Sequence, residues 1–123
     1  MAHILVIDDD SDILYILTEL LTGEHHTVAV ASDGKAGIAL VVGQKFDLVI
    51  TDMVMPEMDG IEVISAIRER APEVRIIVLT GGTSKLNKEY LMAMGKAMHA
   101  NKVIAKPINF KELKEAVHDV LTT

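Results

Sequence analysis

Leu48-Val49-Ile50-Thr51-Asp52-Met53-Val54-Met55-Pro56-Glu57-Met58-Asp59-Gly60 is the stretch on which the fold turns. A short aliphatic run with no polar alternation is what a strand buried on both faces of a parallel sheet requires. The run breaks at an acid, continues into Pro56 and closes on Asp59-Gly60, which signals a turn before the next element. It therefore reads as a central strand that delivers one carboxylate, Asp52, to a loop ahead of a helix. In open parallel sheets ligands bind at the carboxyl ends of the strands, where a carboxylate can ligate a metal, act as a nucleophile, or both. A lone acid in such a place is more often an ordinary turn residue, so Asp52 gains meaning only from what other strands bring beside it.

Working outward, the chain repeats the same grammar. Ile4-Leu5-Val6-Ile7 is a second aliphatic run and stops at Asp8-Asp9-Asp10. From Ser11, apolar residues fall at Ile13, Leu14, Leu17, Leu20 and Leu21, one helical stripe, with Gly23 as the expected C-terminal cap. Thr27 to Ala31 is a more polar strand, expected at the sheet edge. Ser32-Asp33-Gly34 opens a small, Ala-rich helix that runs through about Val42. The helix beginning at Gly60 turns Ile61, Ile64 and Ile67 inward and is ended by Pro72 after Arg70. Ile76-Ile77-Val78-Leu79 is a central strand that finishes at Thr80-Gly81-Gly82. A Met-rich helix is expected from Ser84 to Met98, followed by a short strand, Val103-Ile104-Ala105, and by Lys106-Pro107. The last helix places Phe110, Leu113, Val117, Val120 and Leu121 on one face. Five strand-helix units in strict alternation predict an α/β fold: a doubly wound, five-stranded parallel sheet with helices on both faces.

Composition narrows the function classes. A chain of 123 residues, half of them hydrophobic, suffices for one packed core, so a single domain over residues 1–123 is expected, with no segment left for an output domain. The formal net charge of -6 argues against a surface for the nucleic-acid backbone and suits a site that concentrates a divalent cation. Absence of cysteine excludes disulfides and thiolate metal sites. Met1-Ala2-His3 leads straight into a strand, with no basic signal region and no apolar stretch of spanning length, so no membrane insertion and a cytoplasmic location are expected.

The polar residues sit where the strands end. Asp8 and Asp9 end the first strand, Asp52 the third, Thr80 the fourth and Lys106 the fifth. With strand order 2-1-3-4-5, strands one and three are neighbours at the topological switch point, and three carboxylates converge there with Thr80 and Lys106 at their flank. Such clustering is repulsive without a cation. Mg²⁺, or Mn²⁺, is a hard ion that takes oxygen ligands and retains waters, and it suits a site of few carboxylates.

These motifs give the chain its resemblance to the bacterial response-regulator receiver domains. The pieces are Ile4 to Asp10, Asp52 to Gly60, Leu79-Thr80-Gly81 and Lys106-Pro107-Ile108, in the family's order and spacing from end to end. The resemblance implies the flavodoxin-like order 2-1-3-4-5, of which the chemotaxis receiver is a standard example. It implies a phosphoacceptor, Asp52, charged by the phosphohistidine of a sensor histidine kinase or phosphotransfer protein. Asp9, Asp52 and the backbone carbonyl of Val54 would bind Mg²⁺ directly, and Asp8 mostly through a metal-bound water. Thr80 would hydrogen-bond the phosphoryl group and Lys106 would pair with it, while Pro107 holds the loop so that the ammonium points inward. Such a protein is a signalling module that assists its own phosphorylation and dephosphorylation, not an enzyme, and it reports to a downstream protein target.

Two other classes compete. Asp8, Asp10, Asp12 and Glu19 match four positions of a calcium loop, but the sixth position, which needs Gly, holds Ile13, and a strand precedes the segment where a helix belongs. A receiver-like scaffold that binds partners without phosphorylation is the other alternative, and the complete set of acids, Thr and Lys argues against it. His25-His26 read as turn residues. Met55, Met58, Met92, Met94 and Met98 read as core and loop packing. Two departures from the family pattern stand out. Val103 occupies the position three before the lysine that commonly holds Tyr or Phe, and His99 stands where Gly tends to follow the fourth helix. The first predicts that switching is read through the loop from Thr80 to Lys85, with Gly81 and Gly82 as its hinge.

Overall fold

Ile4 to Ile7 pair in parallel with Val28 to Ala31 on one side and with Leu48 to Thr51 on the other, which sets the first strand between the second and third. The computed structural model describes residues 1–53, 60–80 and 100–122. Within them the elements are β1 (His3–Ile7), α1 (Ser11–Gly23), β2 (Thr27–Ala31), α2 (Gly34–Gly43), β3 (Leu48–Asp52), α3 (Gly60–Arg70), β4 (Arg75–Thr80), β5 (Lys102–Ala105) and α4 (Phe110–Thr122). The sheet order is β2-β1-β3-β4-β5, the order the resemblance implies, and every pairing is parallel, as the alternation predicts.

The strand period divides the core into two layers. Leu5, Ile7, Val49, Ile76 and Val78 pack against Val41 of α2 and Val63, Ile64 and Ile67 of α3. Ile4, Val6, Leu48, Ile50, Ile77 and Leu79 pack against Leu17 and Leu21 of α1 and Leu113, Ala116, Val117 and Val120 of α4. Strands covered on both faces must be apolar at every position, which explains the continuous runs. α2 sits close on β1 at Gly37, where a Cβ would meet the Ile7 side chain, 2.8 Å from Cγ1, so a larger residue there requires Ile7 to turn aside.

Among the described residues the local expectations hold with three adjustments, while the helix expected from Ser84 to Met98 lies outside them. Asp52 is the last residue of β3 and not the first of the loop, because Asp52 still pairs with Leu79. Gly23 stays inside α1, and the left-handed residue that ends the turn is His25, at φ 69°. Three amides close that turn, with Glu24 and His26 donating to Leu21 O at 3.1 Å each and His25 donating to Thr22 O at 3.0 Å. Hydrogen bonding rather than residue preference thus selects the conformation there. Finally, Phe110 is 42% exposed, while Ile108 takes the place at the edge of the core that the stripe had assigned to it.

Candidate functional site

Asp8 directly follows β1, its amide donating to Ala31 O at 3.1 Å, so the carboxylate leaves the sheet at the end of the β1–β2 pair. Its side chain is wholly buried, and Oδ1 accepts the Asp10 amide at 2.9 Å. Asp10 turns away from this cluster: it caps α1, its carboxylate accepting from the Asp12 amide at 2.9 Å. The sequence carried the signal for that cap, an Asp just ahead of a helical stripe. Asp52 closes β3 and is 5% exposed, whereas Asp9 is exposed. One oxygen from each of Asp8, Asp9 and Asp52 lies within 4.8 Å of the other two.

Lys106 arrives from the end of β5, where its amide donates to Thr80 O at 2.7 Å and the bond to Pro107 is cis. Its ammonium bridges the two buried acids, 3.3 Å from Asp8 Oδ2 and 3.2 Å from Asp52 Oδ2. The electrostatics follow from that geometry. Burial raises the pKa of Asp8, the Asp52 charge pushes the same way, and the Asp10 amide and Lys106 hold it down in part. Burial works against the charge on Lys106, but the carboxylates of Asp52 and Asp8 and their hydrogen bonds outweigh it, so its pKa is raised and it stays cationic at neutral pH. Thr80, at the end of β4, is fully buried, and its Oγ1 has no hydrogen-bond partner among the described residues. A buried hydroxyl without a partner costs stability unless a ligand completes it.

The donor set fits a hard divalent cation. All three groups are carboxylates, and three of them against one ammonium leave an excess of negative charge in a largely buried place. Asp8, Asp9 and Asp52 are brought together, with Lys106 between two of them. Residues 4–118 match the family model for the response regulator receiver domain. The chain belongs to the response-regulator receiver family. Relatives include the transcriptional regulatory protein GlrR of Escherichia coli, 32% identical over 120 residues covering 98% of this chain and 26% of GlrR. The response regulator ArlR of Staphylococcus epidermidis is 30% identical over 121 residues, covering 98% of this chain and 53% of ArlR. The receiver thus spans roughly a quarter to half the length of the regulators it matches in sequence. Among solved structures, the chemotaxis protein CheY4 of Vibrio cholerae superposes with a TM-score of 0.85 at 31% identity, covering 98% of this chain and 99% of that one. A receiver domain from Clostridium thermocellum superposes with a TM-score of 0.89 at 29% identity, over 99% of this chain and 95% of that one.

Receivers of two-component systems are signalling domains that bind Mg²⁺ through acidic residues and interact with histidine kinases and effectors. The Val54 carbonyl, Gly81, Gly82, His99, the segment from Gly81 to Lys85, and Met55, Met58, Met92, Met94 and Met98 lie outside the described residues. Val103 is half-buried on β5, opposite Val78. No helix among the described residues is long and apolar enough to cross a membrane.

Proposed function

We propose that this receiver accepts a phosphoryl group on Asp52 from a phosphohistidine of a sensor histidine kinase or phosphotransfer protein, in a Mg²⁺- or Mn²⁺-dependent reaction. On this reading it works in the cytoplasm and passes the signal to a downstream protein by a change of conformation, without contacting nucleic acid itself. The observation that carries the reading is the Lys106 ammonium set between Asp8 and Asp52, beside a third carboxylate, at the switch point of the sheet.

Asp52 is fixed by β3, and its carboxylate oxygen is the nucleophile. As the P–O bond forms in line, the P–N bond of the donor breaks, and its electron pair returns to an imidazole that leaves neutral when its other nitrogen carries a proton. Lys106 offers charge to the incoming phosphoryl oxygens without having to be recruited, because the buried acids already hold it in place. Thr80 offers a hydroxyl with no competing partner among the described residues. Mg²⁺ would be held by Asp9, Asp52 and the Val54 carbonyl, with Asp8 reaching it mostly through a metal-bound water, and when bound it would supply the remaining positive charge.

Incubation with acetyl phosphate and Mg²⁺, followed by intact mass, tests this reading. Wild type should gain one phosphoryl group and Asp52→Asn none. Equal labelling of Asp52→Asn, or none of wild type, overturns the assignment, and the second result favours a scaffold that works without phosphorylation.

A further inference from the structure

Asp52 has a neighbour whose backbone is held from two sides. The Met53 amide donates to Leu79 O on β4 at 2.8 Å, and Met53 O accepts the amide of Gly60, the first residue of α3, at 2.7 Å. The Met53 side chain is 3% exposed within the core. Gly60 lies so close that a Cβ on it would stand 2.6 Å from both Met53 Cα and Met53 O, and 2.9 Å from Met53 C. The atoms it would meet are backbone, which cannot turn aside as the tip of a side chain can.

From these contacts we propose that Gly60 is a positioning residue for the phosphoacceptor, acting through Met53; the inference rests on Asp52 being the acceptor. A Cβ at position 60 needs 0.8 Å more room to move from 2.6 Å to ordinary contact at 3.4 Å. Two bodies can give way. One is α3, but Val63, Ile64 and Ile67 are fully buried and hold it against the sheet. The other is the Met53 backbone, joined to Asp52 by a rigid planar peptide. Displacement that reaches Met53 is therefore passed to Asp52, whose carboxylate must keep its place 3.2 Å from Lys106 and near Asp8 and Asp9. Misplacement by 1 Å can cost about 10²-fold in rate, so the part of this shift that reaches Asp52 is read in the rate of labelling.

The test compares wild type, Gly60→Ala and Ile67→Val, the last loosening α3 at its far end without approaching Met53. A fourth protein replaces Gly60 by glycolic acid, which removes the amide donor to Met53 O and adds no Cβ, so the question stays answerable should Gly60→Ala not fold. Each is measured for urea midpoint, for Mg²⁺ dissociation constant with no phosphodonor present, and for rate of labelling by acetyl phosphate at saturating Mg²⁺. In Gly60→Ala and the ester, labelling should slow by at least about tenfold and Mg²⁺ should bind more weakly, while Ile67→Val lowers the midpoint and leaves both close to wild type. If wild type is labelled and the position-60 proteins match it once their folded fraction is counted, or if Ile67→Val slows as much, the positioning role is wrong. If wild type itself is not labelled, the acceptor assignment fails and this inference with it.

Discussion

Replacing Lys106 by Met keeps most of the side-chain stem and removes the only cation shown between Asp8 and Asp52 among the described residues. At an effective dielectric of about 20, charges 3.2 Å apart attract by roughly 5 kcal/mol before solvation is counted. The net loss is smaller for two reasons. The Lys106 side chain is 21% exposed, so water recovers part of the interaction. Asp8 can also take up a proton: from an ordinary 3.8 this costs about 4 kcal/mol at pH 7, and less from its raised value. A loss of about 2–3 kcal/mol at pH 7 is expected, near the lower end for a broken buried pair. The sign of the pH dependence follows. The folded Asp8 carboxyl holds its proton above 3.8, so the stability it contributes is full below 3.8 and is lost as pH rises through the folded value. Removing Lys106 pushes that value higher, and the deficit of Lys106→Met should therefore grow between pH 4.5 and pH 7. Urea unfolding followed by circular dichroism at the two pH values reads this directly. Adding Asp8→Asn should recover at least about 1 kcal/mol relative to the sum of the single losses, as coupled sites do. A deficit that does not change with pH, or strict additivity, would refute the bridging role of Lys106.

Two further outcomes concern other parts of the molecule. Asp9 is the exposed member of the carboxylate set, so Asp9→Ala should leave the fold intact and raise the Mg²⁺ dissociation constant by more than tenfold, the equivalent of about 1.4 kcal/mol. Calorimetric titration showing unchanged affinity removes Asp9 from the ligand set. His26 Nδ1 accepts the Ala2 amide at 3.0 Å and so must be unprotonated; burial lowers its pKa, the N-terminal ammonium and His25 add to that, and Glu24 opposes it. A lowered pKa gives stability that is present above 6.5 and is lost as pH falls through the folded value, so wild type should weaken on acidification over that range and His26→Asn should lose the slope. Parallel denaturation curves for the two proteins across that window would show that His26 does not titrate with folding.

The aliphatic runs Ile4–Ile7, Leu48–Ile50 and Ile76–Leu79 were legible as buried strands because a strand covered on both faces leaves no place for a polar residue. The polar residues that close those strands were equally legible, since the first run ends at Asp8, the second at Thr51-Asp52 and the third at Thr80. That alternation also limits the sheet to parallel crossovers, and composition excluded thiolate chemistry. Other features depend on which residues meet across the fold, and no local pattern carries that. The period of a strand says which face a side chain takes, but not that Asp8 ends fully buried while its neighbour Asp9 stays exposed. Nor does it say that Lys106 reaches back 98 residues to Asp8 and 54 to Asp52. Gly23 looked like the natural end of α1, yet three amide bonds placed the left-handed turn at His25. Gly60 read as a helix start, and only the packed molecule shows the Met53 backbone standing where its Cβ would be. Periodicity and propensity are properties of neighbours in sequence, whereas charge pairing, burial and close backbone approach arise between segments that folding alone brings together.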